Sequence, residues 1–580
     1  MERRAVQEER RMVARHAYSP PFLPVSAMFP LTSLASGLAL YQVLLGPNGV
    51  LAQDPSVKTV DLGYATYQTD LSLQDGVTSF LGIRYAAPPL GELRFQSPQP
   101  PVNTTGVQNA TSQPIQCMQD GVNGANTTSP FRTNSSLPTT PGAVTPNTSE
   151  DCLYLNVHVP TNSDPSNASL PVVVWIHGGG YDAGSVAEHP VELIVSESNF
   201  GAIAVQMQYR LGVFGFLAGE QVKQGGALNA GLLDQQFALE WVQEHIAEFG
   251  GDPTKVTIWG ESAGAGSVLQ HVVAHGGQTD PPLFRAAMMS SPFLPFQYNY
   301  DDPIWETIYD AFVEGVHCTG NEDTLACLRS VNASALQAVD ITIGRSNFMG
   351  VFTLVPVIDG SFIVERPLAT LQKNRTNSDV LLVVTNAHEG DVFTNPSTLT
   401  ANNFTLTEYI TQLFPRMDDG QIQQAVGLYA NITGLTTVPE QAALVYGENI
   451  FVCPAYASVA AFPASSAWKA EFAIPPALHG QDIPYYFPDS SLGLAPAFNN
   501  TNFLHAFEQA FFATAMSLDP NVHFVSPDIT PAWPAWTTNG TVMLFNMTEA
   551  GEPEVKTIAT DEDMLARCAF WNSMGEVNSQ

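Results

Sequence analysis

A serine between small residues is the first place in this chain where chemistry could happen. Val256-Thr257-Ile258-Trp259 is a short apolar run, and Gly260-Glu261-Ser262-Ala263-Gly264 follows it directly. Gly-x-Ser-x-Gly between a strand and a helix start is a nucleophile elbow. The glycines leave room for a strained turn that lifts the hydroxyl clear of the chain. The next residue opens a helix and aims its N–H at the reacting centre. The bland alternative is a glycine-rich turn carrying an ordinary serine.

Serine is a poor nucleophile until a base takes its proton, and that base is usually a histidine oriented by a carboxylate. With an elbow of this kind the chain order is Ser, acid, His. Glu389 follows the apolar run 380–384 and precedes Gly390. His479 lies in Pro475-Pro476-Ala477-Leu478-His479-Gly480-Gln481-Asp482, a loop by composition. Asp391 and Asp359 compete with Glu389 for the acid, and His388, His505 and His523 with His479 for the base. His271 and His275 sit four apart after the elbow, a metal-ligand spacing. No third ligand is in view, so a structural role is favoured. His177-Gly178-Gly179-Gly180-Tyr181 follows the apolar run 172–176. Three glycines free the backbone to turn its N–H groups toward an oxyanion, as in the His-Gly-Gly-Gly loop of esterases. A phosphate cradle is excluded: Gly264-Ala265-Gly266 lacks the third glycine, and no Gly-Lys-Ser/Thr occurs.

These residues need rigid supports. Residues 172–176, 202–207, 256–259 and 380–384 are continuous apolar runs, which suit strands buried on both faces. Between them Leu233, Phe237, Trp241, Val242, Ile246 and Phe249 recur at three and four residues, one apolar helix face that stops at Gly250-Gly251. A second helix runs from Ser262 to Gly276-Gly277. Strands alternating with helices predict an α/β fold with a mostly parallel sheet. Sites in such folds form at the carboxyl ends of strands, where these candidates lie. Residues 290–350 and 400–470 read as helical and predict a cap. Residues 118–149, rich in Gly, Asn, Thr, Ser and Pro, read as a surface loop between Cys117 and Cys152. No internal repeat is visible.

Composition narrows the setting. The 580 residues are 44% hydrophobic and 13% charged, with a formal net charge of −33. That balance disfavours nucleic acid and anionic membranes as partners. Arg3, Arg4, Arg10, Arg11 and Arg15 precede an uncharged stretch from Phe29 to Leu45, and Val50-Leu51-Ala52 stands before Gln53. Residues 1–52 therefore read as an N-terminal extension and signal peptide, and 53–580 as one domain. Met28 as the true start and an uncleaved anchor are the alternatives. Asn-x-Ser/Thr acceptors occur at Asn103, Asn109, Asn126, Asn134, Asn147, Asn167, Asn332, Asn374, Asn403, Asn431, Asn499, Asn539 and Asn546. So many point to a glycosylated, secreted surface. Six cysteines without a C-x-x-C pair predict three disulfides in any of fifteen connectivities.

Taken together, these segments resemble the type-B carboxylesterase/lipase family, which includes cholinesterases and fungal secreted lipases. The resemblance covers roughly residues 57–575. Ser149-Glu150-Asp151-Cys152-Leu153-Tyr154-Leu155-Asn156-Val157 is similar to one family signature. Phe249-Gly250-Gly251-Asp252-Pro253 through Gly264 is similar to the other. Gly82 to Pro89, Gln208 to Gly212 and Asn229 to Gln235 look like further family segments. The resemblance implies an α/β-hydrolase fold, Ser262 as nucleophile, Glu389 as acid and His479 as base. It implies an oxyanion hole from the N–H groups of Gly179, Gly180 and Ala263, and no metal or organic cofactor. It also implies disulfides Cys117–Cys152, Cys318–Cys327 and Cys453–Cys568. Two departures stand out. Residues 118–151 contain no tryptophan, against recognition of a quaternary ammonium. They are also polar and sequon-rich, unlike a lipid-facing lid. The expectation is a secreted, N-glycosylated carboxylesterase acting on soluble or moderately apolar esters, with no stable membrane insertion. A lipase-like hydrolase of long-chain acyl esters and a non-catalytic recognition protein are the alternatives. Oligomeric state is left open.

Overall fold

Alternate residues of each apolar run enter different cores. In the computed structural model, which describes residues 57–580 except 73–74, 134, 165, 167–168, 490–492, 525 and 527, Val172, Val174 and Ile176 belong to one buried cluster and Val173 and Trp175 to another. The same split separates Leu381 and Val383 from Leu382 and Val384. Side chains alternate along a strand, so a sheet covered on both faces needs apolar residues at every position. The expected leader, residues 1–52, lies outside the described residues.

Ten strands form the main sheet: β1 (Val77–Arg84), β2 (Tyr154–Pro160), β3 (Leu170–Ile176), β4 (Ile203–Met207), β5 (Gly251–Glu261), β6 (Ala286–Ser290), β7 (Val380–Asn386), β8 (Ala467–Phe472), β9 (Thr541–Met547) and β10 (Pro553–Ala559). Their spatial order is β10-β9-β8-β7-β6-β5-β3-β4-β2-β1. The strands from β4 through β9 in that row run parallel, and antiparallel pairs close both edges. The order reverses at β3 and β4, next to β5, the kind of crevice where α/β folds place their sites.

Helix α1 (Ala230–His245) ends in a short 3-10 turn before Gly250, and α2 (Ala263–Gly277) leaves regular helical geometry at Ala274–Gly276. On the opposite face Trp259 stacks on Phe511 of α4 (Thr501–Ser517), with ring centres 5.0 Å apart. The segment 118–149 is mostly irregular but does not stand free. Gly124 N–H donates to Val351 O, Asn126 N–H to Asn347 O and Gly142 N–H to Ala338 O. These bonds lay it along α3 (Ala333–Ser346) and the strip that follows. Disulfides join Cys117 to Cys152, Cys318 to Cys327 and Cys453 to Cys568. Among the described residues no helix is long and apolar enough to cross a membrane.

Candidate active site

β5 ends at Glu261 and α2 begins at Ala263, so Ser262 alone makes the turn. Its φ of 55° and ψ of −124° lie where a non-glycine residue costs on the order of 1–3 kcal/mol. Its neighbours hold it there. Ser262 N–H donates to Ser290 O (3.0 Å), while its carbonyl accepts from Gly266 N–H (2.8 Å) and Phe293 N–H (3.2 Å). A Cβ on Gly260 would overlap the backbone of Gly264, and one on Gly264 the carbonyl of Ile176. Crowding therefore demands both glycines, apart from any need for unusual dihedrals.

The candidate acid follows β7. Glu389 lies just past Asn386, is 2% exposed, and its Oε2 sits 2.6 Å from His479 Nδ1. Its other oxygen accepts from Ser291 Oγ (2.7 Å) and from Asn386 N–H (2.6 Å). With the carboxylate fixed on three sides, the imidazole can only present Nε2 to the elbow. That nitrogen is buried and has no hydrogen-bond partner. It lies 3.4 Å from Glu261 Oε1, on the residue next to the serine. Phe393 and Phe451 border the ring, with centres 5.1 and 4.4 Å away.

The glycine loop lies against the elbow. A Cβ on Gly178 would come within 2.7 Å of Glu261 O and 3.1 Å of Ser262 Cβ. Gly179 and Gly180 have φ of +95° and +67°, open to glycine at little cost. Asp182 and Ala183 N–H both bond Gly179 O, closing the loop into a tight turn. The ring of Phe352 fills the space where a Gly180 side chain would go. Ala263 N–H opens α2, whose first-turn donors lack helical acceptors.

Electrostatics couple the buried groups. Burial raises Glu261 to about 8, although His479 pulls it down. Burial alone would lower His479, but the Glu261 and Glu389 carboxylates outweigh it and hold it up at about 9. The pair takes up a proton at higher pH than either free group.

The other candidates lie elsewhere. Asp359 accepts from Asn229 Nδ2 (2.6 Å) and from Ser361 N–H (2.6 Å). Asp391 and His388 are exposed. His523 pairs with Asp528, and His505 lies on α4. His271 bonds Gln235 and His275 bonds Gln236 and Ser361 O, so both are satisfied by protein groups. No group of three or more His, Cys, Asp or Glu among the described residues could hold a metal ion. Sequence reasoning assigned no role to Glu261, Ser291, Asn386 or Asp482. Asn386 Nδ2 bridges Ser291 Oγ (3.1 Å) and Asp482 Oδ1 (3.0 Å), tying the acid's surroundings to the histidine loop. Their only signal was position, at strand ends and beside the motif residues.

The residues of the first signature are structural. Arg94 grips Glu150 through two bonds of 2.6 and 2.7 Å, and Arg84 grips Asp151 through two of 2.7 and 3.0 Å. Arg210 and Asp234 form a fully buried bidentate pair at 2.7 Å.

The sequence profile described as the carboxylesterase family matches residues 65–571. The chain is 35% identical over 350 residues to secreted lipase 1 of Botryotinia fuckeliana, covering 58% of this chain and 60% of that protein. It is 31% identical over 473 residues to carboxylesterase patB of Aspergillus clavatus, covering 75% and 84%. It thus spans less than two thirds of the length of the lipase. Among solved structures it is similar to Aspergillus niger EstA, with a TM-score of 0.78, 28% identity, and coverage of 90% of this chain and 99% of that one.

Proposed function

We propose that this chain, which belongs to the carboxylesterase family and has its α/β-hydrolase fold, cleaves carboxylic esters through an acyl-enzyme on Ser262. His479 Nε2 takes the serine proton as the hydroxyl attacks the ester carbonyl. Glu389, holding Nδ1, keeps the ring in the required tautomer and stabilises the imidazolium. The N–H groups of Gly179, Gly180 and Ala263 receive the oxyanion, each worth on the order of 3 kcal/mol in the transition state. His479 returns the proton to the departing alcohol, and water then releases the acid. The observation that supports this most is the 2.6 Å Glu389–His479 contact, buried beside a strained serine turn. Ser262→Ala should lower kcat by roughly 10⁶-fold, the scale seen for such triads, and abolish labelling by a fluorophosphonate. Ester turnover within tenfold of wild type would overturn the assignment. Labelling of the wild type also separates an enzyme from a non-catalytic recognition protein.

The substrate is a small or moderately apolar ester. A narrow cavity of about 30 Å³ lined by Phe131, Phe296, Trp305, Phe352 and Leu413 adjoins the glycine loop through Phe352. The name of the patB relative supports a carboxylesterase, and that of the Botryotinia fuckeliana relative supports a lipase. The segment 118–149, hydrogen-bonded down along α3, favours the first. Rates on esters of graded acyl length, and on triacylglycerol above and below its solubility limit, distinguish them. A jump above that limit would favour the lipase. The enzyme is secreted and N-glycosylated. Of the eleven acceptor asparagines among the described residues ten are exposed, so the fold leaves them open to modification.

A further inference from the structure

Away from Ser262, a cleft of about 470 Å³ opens between α1 and the N-terminal strands. Its floor is Tyr85 and Trp241, and its walls are Tyr64, Phe237, Pro100 and Pro101. The mechanism uses none of these residues. Asn103 lies on the rim, exposed, and begins the acceptor Asn103-Thr104-Thr105. We propose that this cleft seats the inner sugars of an N-linked glycan carried on Asn103, an inference that rests on reading the chain as a secreted glycoprotein.

The chemistry of the cleft fits a neutral, donor-rich ring. Tyr64 OH donates to Arg84 O (2.7 Å) and accepts from Trp241 Nε1 (3.0 Å). The polar tips of both aromatics are thus consumed within the protein, and what remains is ring surface. Sugar rings present C–H faces that pack on such surfaces through dispersion and weak C–H contacts. Glu240 and Glu244, four apart on α1 and both exposed, line the same cleft. Their carboxylates accept from sugar hydroxyls and from the N–H of an acetamido group. They repel anions, and among the described residues lining the cleft only His245 is able to carry positive charge.

The tether is already aimed. Thr104 N–H donates to Tyr64 O (2.8 Å), so the acceptor loop is fastened to the cleft wall. A covalently attached sugar meets its site at an effective concentration around millimolar. Contacts too weak to hold a free sugar are therefore enough.

The test uses the chain secreted from a eukaryotic host, with glycopeptide mass spectrometry before and after native digestion by peptide-N-glycosidase. The Asn103 glycan should be present and released roughly tenfold more slowly than those at Asn332 and Asn374, the protection expected when the link is exposed only by local opening. Denaturation should equalise the rates. Phe237→Ala, and separately the surface change Glu240→Ala, should speed release at Asn103 alone. Asn103→Gln should leave ester turnover unchanged. An unoccupied Asn103 beside occupied acceptors, or release as fast as elsewhere, overturns the seat while leaving secretion standing. Absence of glycan at every acceptor overturns both. Retarded release that persists in both variants overturns the seat, because the protection then does not come from the cleft walls.

Discussion

Glu261 stands where it can set the pH at which the serine becomes reactive. Its Oε1 lies 3.4 Å from His479 Nε2, and its charge favours the imidazolium. An imidazolium cannot accept the Ser262 proton, so activity should rise with pH as His479 deprotonates. The acidic limb of kcat/KM should therefore lie above the ordinary histidine value near 6.5. Glu261→Gln removes a carboxylate that stabilises the charged ring, so the limb should move to lower pH, by about one unit or more. A pH–rate profile with an unmoved limb would show that the two groups do not interact. At the same scale Ser291, buried at φ 54°, donates its hydroxyl to Glu389 Oε1 and its N–H to Val384 O.

At the scale of elements the site depends on how closely α2 approaches β3. Gly264 marks that approach. A Cβ there would collide with the Ile176 carbonyl, a backbone atom that cannot turn aside. Gly264→Ala should cost about 1–3 kcal/mol, as overpacking does, and should lower activity by displacing Ala263. Gly276, at φ +69°, has nothing within 4 Å of an added Cβ. Gly276→Ala should cost only the left-handed penalty of about 1–2 kcal/mol and leave activity intact. Urea midpoints and turnover of the two variants check this. Equal activity losses would mean that crowding at the elbow is not what matters. The elements themselves were legible, because two-face burial leaves a continuous apolar run and a helix leaves a stripe. The docking of 118–149 was not. Several of its hydrogen bonds join backbone groups, which composition does not report.

The whole molecule carries two predictions. The Cys453–Cys568 bridge spans 115 residues and Cys318–Cys327 spans 9. In the chain-entropy account those loops contribute about 5 and about 3 kcal/mol. Replacing both cysteines of the long bridge by serine should lower the denaturation midpoint more than the same change in the short one. The second concerns pH. Burial raises the carboxyls of Asp182, Asp340 and Glu508, the last to about 8. A carboxyl raised on folding binds its proton more tightly in the native state. Its contribution is complete below the unfolded value near 4 and is lost as pH climbs through the folded value. The net charge of −33 adds self-repulsion in the same direction. Urea midpoints should be higher at pH 5 than at pH 8, and the reverse would refute the argument.

What the amino-acid sequence determined by itself was whatever leaves a local mark. Small residues stand where the chain must turn sharply around Ser262 and bend through Gly178–Gly180, and apolar periodicity separates strand from helix. The order of those marks was enough to indicate the fold. By spacing alone Glu389, Asp359 and Asp391 compete, because each carboxylate lies downstream of Ser262, and only the family resemblance singled out Glu389. Tertiary packing separates their surroundings. It turned Glu389 onto an imidazole 90 residues away, bonded Asp359 to Asn229 and left Asp391 in solvent. The physical reason is that a turn is dictated by its immediate neighbours, whereas a meeting of distant side chains is dictated by every layer packed between them.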